Sequence, residues 1–385
     1  MAAGAKSGPL AGFRILEMAG LGPVPLAGLM LAEMGAEVVR IERLSSARAF
    51  LTIPGKFDLD RHGRAVLRLD LKDPRAVELV LRMIEKADAL VEGFRPGVME
   101  RLGLGPDVAL LRNPALVYGR MTGFGQDGPL ADRAGHDLTY LALTGVLHAI
   151  GQKDGKPTPP LNLVADFGGG TMFLVAGVLA ALLERSRSGK GQVVDAAMVD
   201  GASMLAAPFF SFLATGFWNE TRGSNLLDSG APFYDTYETA DGGYVAVACL
   251  EPQFFAEFAG LLRLPAQLAK AQYDQSLWDD MRAEIAARFA TRPRDHWAQL
   301  FEQTDACVAP VLTFSEAAAH PHNRARETHT DKGADMLRPR PAPRFGRTHS
   351  AVEGPRQTSA AEALAGFGFD ESEIGGLVSQ GIIEE

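Results

Sequence analysis

The segment Arg14-Ile-Leu-Glu-Met18, followed by Leu26–Met34 and Ala36-Glu-Val-Val-Arg-Ile-Glu42, decides the fold. The first and third segments are short and largely apolar, as strands are, and the middle segment has the composition of a helix. Glycines and prolines at residues 20–25 predict a turn before that helix, and Gly35 is placed to end it. This pattern is a βαβ unit, which implies a parallel sheet with a right-handed crossover.

The unit lacks the Gly-x-Gly-x-x-Gly fingerprint of dinucleotide sites, so Gly20-Leu-Gly22 alone is weak support for a nucleotide loop. The strand and helix pattern nevertheless continues downstream. Asp73-Pro74 predicts the start of a helix whose exposed face pairs Glu78 with Arg82.

Two further strands, Ala89–Val91 and Leu116–Met121, are each followed by a glycine-containing loop. These loops are Glu92-Gly-Phe-Arg-Pro-Gly97 and Thr122-Gly-Phe-Gly-Gln126. Ligands of doubly wound parallel sheets bind at the carboxyl ends of the strands, so both loops are candidate binding elements. The sequence therefore predicts an α/β fold with a Rossmann-like large domain.

The pattern of the sequence changes at about residue 225. Beyond it, Tyr234–Glu238 and Tyr244–Leu250 predict a β-hairpin. The prolines of Arg338–Arg347 exclude a helix there, and Glu371–Ile383 is typical of a last helix. We predict a large domain over 1–224, a smaller α/β domain over 225–325, and an extended crossing with a returning C-terminal helix over 326–385.

Composition and charge narrow the classes of function. The chain has 385 residues, 46% of them hydrophobic and 22% charged, which is typical of a soluble globular protein with more than one core. The net charge of −9 argues against nucleic acid as a partner. The longest apolar run, Thr171–Leu183, is shorter than the roughly 20 residues that span a bilayer, so no membrane insertion is predicted.

Cysteine and histidine usage predicts no disulfide and no metal site. Cys249 and Cys307 have apolar neighbours and are expected to be buried free thiols. The eight histidines do not combine with cysteine or glutamate in a metal-binding pattern.

Basic residues concentrate in the first third of this acidic chain. They are Arg40, Arg43, Arg61, Arg64, Arg68, Lys72, Arg95 and Arg101. Such a cluster suits a small polyanion, since guanidinium groups donate to phosphate oxygens in parallel. A solvated surface without a ligand explains the same composition, and the sequence leaves both interpretations open.

Two short segments carry proton-transfer groups of different chemistry. Gly135-His136-Asp137 offers an imidazole, and Asp166-Phe-Gly-Gly-Gly170 offers a carboxylate before a predicted helix at Met172–Glu184. Opposed acid and base groups suit a reaction that removes a proton from one face of a carbon and returns one to the other. The same carboxylate suits covalent attack on an acyl group. Structural roles are open too, with Asp166 as a helix cap and Glu251-Pro252 as a helix start.

A series of motifs follows in one order along the chain. The motifs are Gly12-Phe-Arg-Ile-Leu-Glu17, Gly35-Ala-Glu-Val-Val-Arg-Ile-Glu-Arg43, Leu69-Asp-Leu-Lys72, Glu92-Gly-Phe-Arg-Pro-Gly-Val-Met-Glu-Arg-Leu-Gly103, Met121-Thr-Gly-Phe-Gly-Gln-Asp-Gly-Pro129, Gly135-His-Asp137, Asn162-Leu-Val-Ala-Asp-Phe-Gly-Gly-Gly170, Gly189-Lys-Gly-Gln-Val-Val-Asp-Ala-Ala-Met198 and Glu251-Pro-Gln253. Through them, nearly the whole chain resembles the α-methylacyl-CoA racemases of the family III CoA-transferase group.

The resemblance implies an interlocked homodimer that acts on an acyl-CoA substrate without a metal or redox cofactor. It implies that His136 and Asp166 exchange the α-proton and that Glu251 of the partner subunit orients or charges His136. Asp137 and Asn162 lie beside the two bases, as supporting groups or donors to the substrate. The implied coenzyme A contacts are Arg43, Leu69, Asp70, Leu71, Lys72, Gly93, Phe94, Arg95, Arg101, Gly135 and Tyr140. Relatives often have a more basic stretch in place of Asp60-Arg-His-Gly-Arg64, so the phosphate contacts stay open.

The expected reaction is inversion of the 2-methyl centre of 2-methylacyl-CoA thioesters through an enolate, and two other functions stay open. A true CoA-transferase would use Asp166 as a covalent carboxylate. Relatives of that kind usually have an aromatic or other non-basic residue in place of His136. A non-catalytic CoA-binding or scaffolding protein is the third hypothesis, and the retained histidine and carboxylates disfavour it.

The acyl group carries no charge to pair, so its pocket is expected to be apolar and tolerant of different chains. Methionines and phenylalanines between Met198 and Trp218 are candidate lining, although such a stripe is more typical of a core. The first residues lack the pattern of a signal peptide and Gly381-Ile-Ile-Glu-Glu385 is not a peroxisomal signal, so a cytoplasmic location is expected.

Overall fold

The computed structural model of the chain describes residues 7–44, 53, 57–331, 336–354 and 359–384. A large unit comprises residues 1–144, 161–205 and 325–385, and a small unit comprises residues 145–160 and 206–324. This division differs from the predicted boundary at residue 224, because 145–160 and 206–224 belong to the small unit. Within the small unit, the Arg222 guanidinium donates to the carbonyl oxygens of His148 (2.8 Å) and Gly155 (2.5 Å) and ties the two stretches together.

Six strands form the sheet of the large unit. They are β1 (Arg14–Met18), β2 (Glu37–Arg43), β3 (Arg64–Leu69), β4 (Ala89–Glu92), β5 (Val117–Thr122) and β6 (Gln192–Ala197). Every neighbouring pair is parallel, in the order β3-β2-β1-β4-β5-β6, so the predicted parallel sheet is confirmed. The order reverses between β1 and β4, which opens a crevice at the carboxyl ends of these two strands.

Helices connect the strands and surround the sheet. They are α1 (Pro23–Glu33), α2 (Pro74–Ile84), α3 (Val98–Arg101), α4 (Pro106–Arg112), α5 (Asp137–Ala142), α6 (Val146–Ala149), α7 (Met172–Ser188), α8 (Met198–Leu205), α9 (Ala207–Ala214), α10 (Pro252–Leu262), α11 (Ala266–Ala269), α12 (Trp278–Phe289), α13 (Arg294–Phe301), α14 (Phe314–Ala319), α15 (Pro321–Ala325), α16 (Ala360–Ala365) and α17 (Glu371–Ser379). A π-helix, Leu163–Thr171, runs directly into α7.

The small unit contains a three-stranded antiparallel sheet of β7 (Tyr234–Glu238), β8 (Tyr244–Ala248) and β9 (Val308–Pro310), in which β7 and β8 form the predicted hairpin. Cys249 is buried after β8, but Cys307 is exposed just before β9. The expectation of two buried thiols is therefore wrong for Cys307. Its backbone adopts a left-handed conformation with φ of 52°, at the turn into the strand. The large unit also carries a short antiparallel pair, β10 (His329–Thr330) with β11 (Arg338–Pro339).

The helix after β1 begins earlier than the sequence predicts. Pro23 and Pro25 lie in the first turn of α1 rather than in a turn before it. A proline is well tolerated there, because the first N–H groups of a helix have no intrahelical partner and the φ of proline suits a helix. Gly22, with φ of 74°, is the residue from which α1 starts. The start of α1 consequently lies directly at the end of β1, beside the crevice.

Charged pairs join α2 to two other helices of the large unit. Arg82 of α2 pairs with Glu373 of α17 at 3.0 Å, and Glu78 pairs with Arg112 of α4 at 2.6 Å. The prediction that Glu78 and Arg82 pair with each other is wrong, because each side chain reaches a partner on another helix.

The helical stretch Leu163–Ser188 is longer than the apolar run that the sequence marks. Among the described residues it is the one helix long and apolar enough to cross a membrane, with 26 residues and a mean hydropathy of 1.7. Buried helices of soluble proteins meet the same criterion, so this is weak support for a span. Leu174 and Val178 pack against the sheet, since a Cβ at Gly119 of β5 would lie 3.0 and 3.2 Å from them.

A buried cluster of charges joins the first three strands. Glu17 of β1 accepts hydrogen bonds from Arg40 of β2 and from Arg64 of β3, the latter at 2.9 Å. Arg64 also donates to the carbonyl oxygens of Pro25 (2.7 Å) and Leu59 (2.6 Å). Buried charges are tolerated only when they are paired and their hydrogen bonds are satisfied. Here the carboxylate of Glu17 serves both arginines.

Gly28 of α1 packs against this cluster, and its substitution tests how much the fold depends on it. A Cβ at Gly28 would lie 1.9 Å from Oε2 of Glu17 and 3.0 Å from Nη1 of Arg64. Gly28→Ala should therefore separate the buried pair and lower the free energy of unfolding by about 3 kcal/mol or more. Urea denaturation followed by circular dichroism measures the effect.

Gly260→Ala is the matched control, because Gly260 is exposed within α10 and an added Cβ would have no atom within 4 Å. This change should be neutral or raise the free energy of unfolding by up to about 1 kcal/mol. Equal stability of the two variants would contradict the role given to the buried cluster.

Candidate active site

The crevice between β1 and β4 is lined by the loops that follow these strands. A Cβ at Gly22 would lie 3.4 Å from Oδ2 of Asp166, so this carboxylate faces the start of α1. The partial positive charge at a helix N-terminus stabilises an anion in that position. A Cβ at Gly93 would lie 2.9 Å from Val24, so the loop after β4 packs on the same end of α1. From the sequence alone, Gly22 is only weak support for a ligand-binding loop, because the dinucleotide fingerprint is absent.

Asp166 precedes the predicted helix, which begins at Met172 as α7, but it lies within a π-helix that the sequence did not predict. π-helical turns are rare and frequently occur at functional sites. A Cβ at Gly169 would lie 2.5 Å from the backbone nitrogen of Ala202, and one at Gly170 would lie 3.0 Å from Met198. Gly169 and Gly170 are buried. They let the π-helix lie directly against α8.

Asp137 of α5 holds the π-helix in place. Its Oδ1 accepts hydrogen bonds from the backbone N–H groups of Ala165 (3.0 Å) and Asp166 (2.8 Å). The first N–H groups of a helix lack intrahelical partners, so Asp137 caps the π-helix from a neighbouring element. Asp137 is only 6% exposed, and within the described part of the chain its Oδ2 has no hydrogen-bond partner. The carboxylate thus fixes the backbone of Asp166 and places a buried negative charge beside it.

The surroundings of Asp166 favour its protonated form. Burial raises the pKa of the Asp166 carboxyl above its usual range, and the negative charge of Asp137 raises it further. A hydrogen bond of 3.2 Å from Nδ2 of Asn162 to Oδ2 of Asp166 and the charge of His136 act in the opposite direction. A carboxyl whose pKa is shifted toward neutrality is suited to act both as a base and as an acid.

His136 directly precedes α5 and its side chain is exposed. Its backbone N–H donates to Oγ1 of Thr139 at 3.0 Å, and the Thr139 hydroxyl donates to the His136 carbonyl at 2.7 Å. This reciprocal pair fixes the backbone that carries the imidazole. Because the next residue, Asp137, is bonded to the backbone of Asp166, the structure brings His136, Asp137, Asn162 and Asp166 into one site.

The ring of Tyr140 fills the space between two glycines of the site. A Cβ at Gly123 would lie 2.0 Å from the ring, and one at Gly135 would lie 2.4 Å from it. Phe124 packs against the ring edge-on with centroids 4.9 Å apart, and the Tyr140 hydroxyl donates to the Gly135 carbonyl. Tyr140 and Gly135, both predicted as coenzyme A contacts, therefore join the loop of His136 to the loop after β5.

The basic residues of the first third separate into two groups. Four of them pair with carboxylates of the sheet: Arg40 and Arg64 with Glu17, and Arg61 and Arg68 with Glu42. The other four, Arg43, Lys72, Arg95 and Arg101, are exposed and make no ion pair with a described residue. The two arginines of the Asp60–Arg64 stretch thus form ion pairs within the large unit. The exposed group coincides with the basic residues that the resemblance assigns to coenzyme A.

Residues 69–72 contribute to this surface unequally. The side chain of Leu69 is fully buried and its backbone forms an antiparallel bridge with Ile383, so it offers a ligand no side-chain contact. Leu71 is half-buried against the same core. Oδ1 of Asp70 accepts from the backbone N–H of Lys72 at 3.0 Å, which turns the chain and leaves both side chains exposed.

The loop after β4 extends from the crevice toward the exposed cations. Gly93 and Arg95 are exposed, whereas Phe94 is half-buried against the core of the large unit. Burial raises the pKa of the Tyr140 hydroxyl, the charge of Asp166 raises it further, and the charge of Arg95 lowers it. Arg95 is therefore close enough to Tyr140 to influence its hydroxyl electrostatically.

Glu251 belongs to the small unit, where it is exposed and precedes α10. Its carbonyl oxygen accepts from the backbone N–H of Phe255 at 3.0 Å, which agrees with the helix-start role that the sequence left open. A role of Glu251 toward His136 stays a prediction. No group of three or more metal-binding side chains occurs among the residues that the structure describes.

Comparison with known proteins finds relatives over almost the whole chain. A family model described as CoA-transferase family III matches residues 10–360. Two relatives named Alpha-methylacyl-CoA racemase are 45% identical (Mus musculus) and 42% identical (Homo sapiens), and each comparison covers 97% of both chains. A solved structure of a CaiB/BaiF family protein from Brucella suis is 25% identical, with a TM-score of 0.78 over 94% of this chain and 98% of that chain.

The electrostatic coupling of Asp137 and Asp166 is testable without an activity assay. Asp137→Asn keeps an oxygen that accepts from Ala165 and Asp166 and removes only the negative charge. Because that charge raises the pKa of Asp166, the variant should have a lower Asp166 pKa than the wild type. A 13C NMR titration of protein labelled at the aspartate carboxyl carbons measures this, with Asp166→Asn identifying the resonance. An unchanged or higher pKa would contradict the coupling.

Proposed function

The chain belongs to CoA-transferase family III, and we propose that it is an isomerase that inverts the 2-methyl centre of 2-methylacyl-CoA thioesters. One observation carries the proposal: an imidazole, His136, and a carboxyl with a raised pKa, Asp166, are held in one site through Asp137. The 45% identity over 97% of the chain to a relative named Alpha-methylacyl-CoA racemase supports the same reaction.

The reaction is a 1,1-proton transfer. The thioester carbonyl acidifies the α-proton, because the resulting negative charge is delocalised onto oxygen as an enolate. One of His136 and Asp166 removes the proton from one face of C2, and the other returns a proton to the opposite face. The reverse direction exchanges their roles, so each group must be available in both protonation states. The upward shift of the Asp166 pKa supports this role, because it makes the protonated carboxyl easier to form.

The neighbouring side chains support this exchange. Asn162 donates to Oδ2 of Asp166, which orients the carboxyl and stabilises its ionised form. Asp137 opposes that effect through its charge and fixes the backbone of Asp166. Only protons are transferred and no electrons are exchanged, so the residues account for the reaction without a metal or redox cofactor.

The exposed cations provide the binding surface for coenzyme A. Arg43, Lys72, Arg95 and Arg101 follow or lie near the carboxyl ends of β2, β3 and β4, where doubly wound sheets bind ligands. Guanidinium groups match phosphate oxygens through parallel hydrogen bonds. These contacts involve a part of the substrate that does not change in the reaction, so they serve binding more than turnover.

Apolar side chains near Asp166 suit an uncharged acyl chain. Leu163 and Met172, at the two ends of the π-helix, are exposed, and so are Met204 and Leu205 of α8. A Cβ at Gly168 would lie 3.2 Å from Leu205, so this surface borders the π-helix that carries Asp166. Without a polar group to select one acyl chain, the enzyme should accept several 2-methyl thioesters with modest preferences.

The protein also acts as a homodimer in this proposal. Helix α9 lies in the aromatic stretch between Met198 and Trp218, whose composition is typical of a core. It nevertheless has no buried residue in the single chain. Phe209, Phe210, Leu213 and Phe217 are all exposed within this short segment. A contiguous apolar surface of this kind is typical of a protein interface. A second copy of the chain is the proposed occupant, and the partner would supply Glu251 to orient or charge His136.

Inversion and deuterium incorporation test the proposed reaction directly. Incubation of a single enantiomer of a 2-methylacyl-CoA in D2O should give inversion at C2 together with uptake of deuterium there, followed by NMR. Prolonged dialysis against a chelator should leave the rate unchanged. Absence of both inversion and deuterium uptake would exclude the racemase.

His136→Ala and Asp166→Ala should each lose about 10²–10⁴-fold in turnover, because each removes a general acid–base group. His322→Ala is the matched control, since this histidine is exposed on α15, and it should retain the wild-type rate. Two results would instead identify the protein as a CoA-transferase: transfer of coenzyme A to a free carboxylic acid, and trapping by hydroxylamine of an acyl group on Asp166.

Sedimentation velocity tests the dimer. The wild type should sediment as a dimer, and Phe210→Glu should shift it toward the monomer because a charge is then placed on the proposed apolar interface. Leu111→Glu is the matched control. Leu111 of α4 is also exposed, but it belongs to the large unit, whereas α9 belongs to the small unit. A Phe210→Glu protein that stays dimeric would exclude α9 from the interface.

A further inference from the structure

A chain of three charged side chains, two of them buried, lies beside the loop that follows β4. Oε1 of Glu92 accepts from Nε of Arg120 at 3.0 Å, and Oε2 of Glu92 accepts from the backbone N–H of Phe94 at 2.7 Å. Nη1 of Arg120 pairs with Oε1 of Glu100 at 2.8 Å. Glu92 and Arg120 are almost fully buried, so their arrangement is fixed by these contacts and not by solvent. The proposed chemistry does not use any of these groups.

The same chain of contacts supports both ends of a short segment with two exposed arginines. Phe94 directly precedes Arg95, and Glu100 directly precedes Arg101. The carbonyl of Arg95 accepts from the backbone N–H of Val98 at 3.1 Å, so Arg95 lies just before the single turn of α3, and Arg101 is the last residue of that turn. Glu92 therefore fixes the segment at Phe94, and Arg120 fixes it at Glu100.

We infer that Glu92 and Arg120 are positioning residues that set the spacing of Arg95 and Arg101 for the phosphate groups of a coenzyme A thioester. The inference rests on the proposed function. Arg95 and Arg101 are exposed cations, and two cations bind a polyphosphate well only at a fixed separation. A buried carboxylate that bonds a loop N–H on one oxygen and an arginine on the other provides that fixed separation.

Glu92→Gln separates this role from a general structural one. Each of the two carboxylate oxygens of Glu92 accepts from a different donor. A glutamine has one acceptor oxygen and one NH2 group. The NH2 group must therefore lie opposite either Arg120 or the Phe94 N–H, and since both are donors, one of the two hydrogen bonds is lost. The loop is then released at one end while the volume of the side chain is preserved. Burial raises the pKa of the Glu92 carboxyl to about 7, so the comparison belongs at pH 8 or above, where Glu92 is ionised.

Two substrates with the same 2-methylacyl group make the test decisive: the coenzyme A thioester and the pantetheine thioester, which lacks phosphates. For the coenzyme A thioester, Glu92→Gln should raise KM about tenfold with kcat within about twofold of the wild type. For the pantetheine thioester, the variant and the wild type should have the same kinetic parameters. Equal losses with both substrates, or no change with either, would overturn the inference.

Glu100→Gln provides a second variant if Glu92→Gln fails to fold, because Glu100 is half exposed at the outer end of the chain of charges. It should raise KM for the coenzyme A thioester in the same direction by a smaller factor. Glu78→Gln, which alters an exposed pair with Arg112, is the matched control and should leave both substrates unchanged.

Calorimetric titration with free coenzyme A distinguishes failure of this inference from failure of the proposed function. A wild type that binds coenzyme A but does not invert the thioester excludes the racemase, and weaker binding by Glu92→Gln still supports the positioning role. Binding of equal affinity by both proteins overturns it. A wild type that neither binds coenzyme A nor inverts its thioester overturns both.

Discussion

The hydrogen bonds from Ala165 and Asp166 to the buried carboxylate of Asp137 are the constraint on which the candidate site depends. They join α5, which His136 precedes, to the π-helix, which carries Asp166. A π-helix is an uncommon conformation, and its first N–H groups need acceptors from outside the helix. One side chain satisfies that need and also sets the charge beside the reactive carboxyl. The same residue thus fixes the backbone of Asp166 and adds to the upward shift that burial gives the pKa of its carboxyl.

The large unit uses charged side chains in two separate ways. Glu17, Arg40 and Arg64 are buried within the sheet and satisfy one another, so they hold β1, β2 and β3 in register. Arg43, Lys72, Arg95 and Arg101 are exposed near the carboxyl ends of the strands. Counting basic residues in the sequence cannot separate these groups, because the separation depends on which strand neighbours which. The parallel order of β3, β2 and β1 is what places both arginines against Glu17.

The regular part of the fold could be predicted from local patterns, whereas features that depend on long-range contacts could not. The alternation of apolar strands and helices predicted the parallel sheet, and β1 has the predicted bounds. The sequence predicted the helix that begins at Met172, but not the π-helix before it, which contains Asp166 and the three glycines. Gly169 and Gly170 pack closely against α8, a contact between segments that a local pattern does not reveal. Likewise, Glu78 and Arg82 have the spacing of a helical pair, but helices distant in sequence supply their partners.

The environment of Asp166 also bears on the choice between proton transfer and covalent catalysis. A carboxylate that attacks a thioester must be ionised, whereas burial and the negative charge of Asp137 shift the pKa of Asp166 upward. A racemase needs the carboxyl in both forms, since the base of one direction is the acid of the other. The opposing effects of Asp137 and Asn162 on the pKa of Asp166 serve that requirement. An imidazole beside the carboxyl adds a second proton-transfer group, which covalent attack by Asp166 alone would leave without a function.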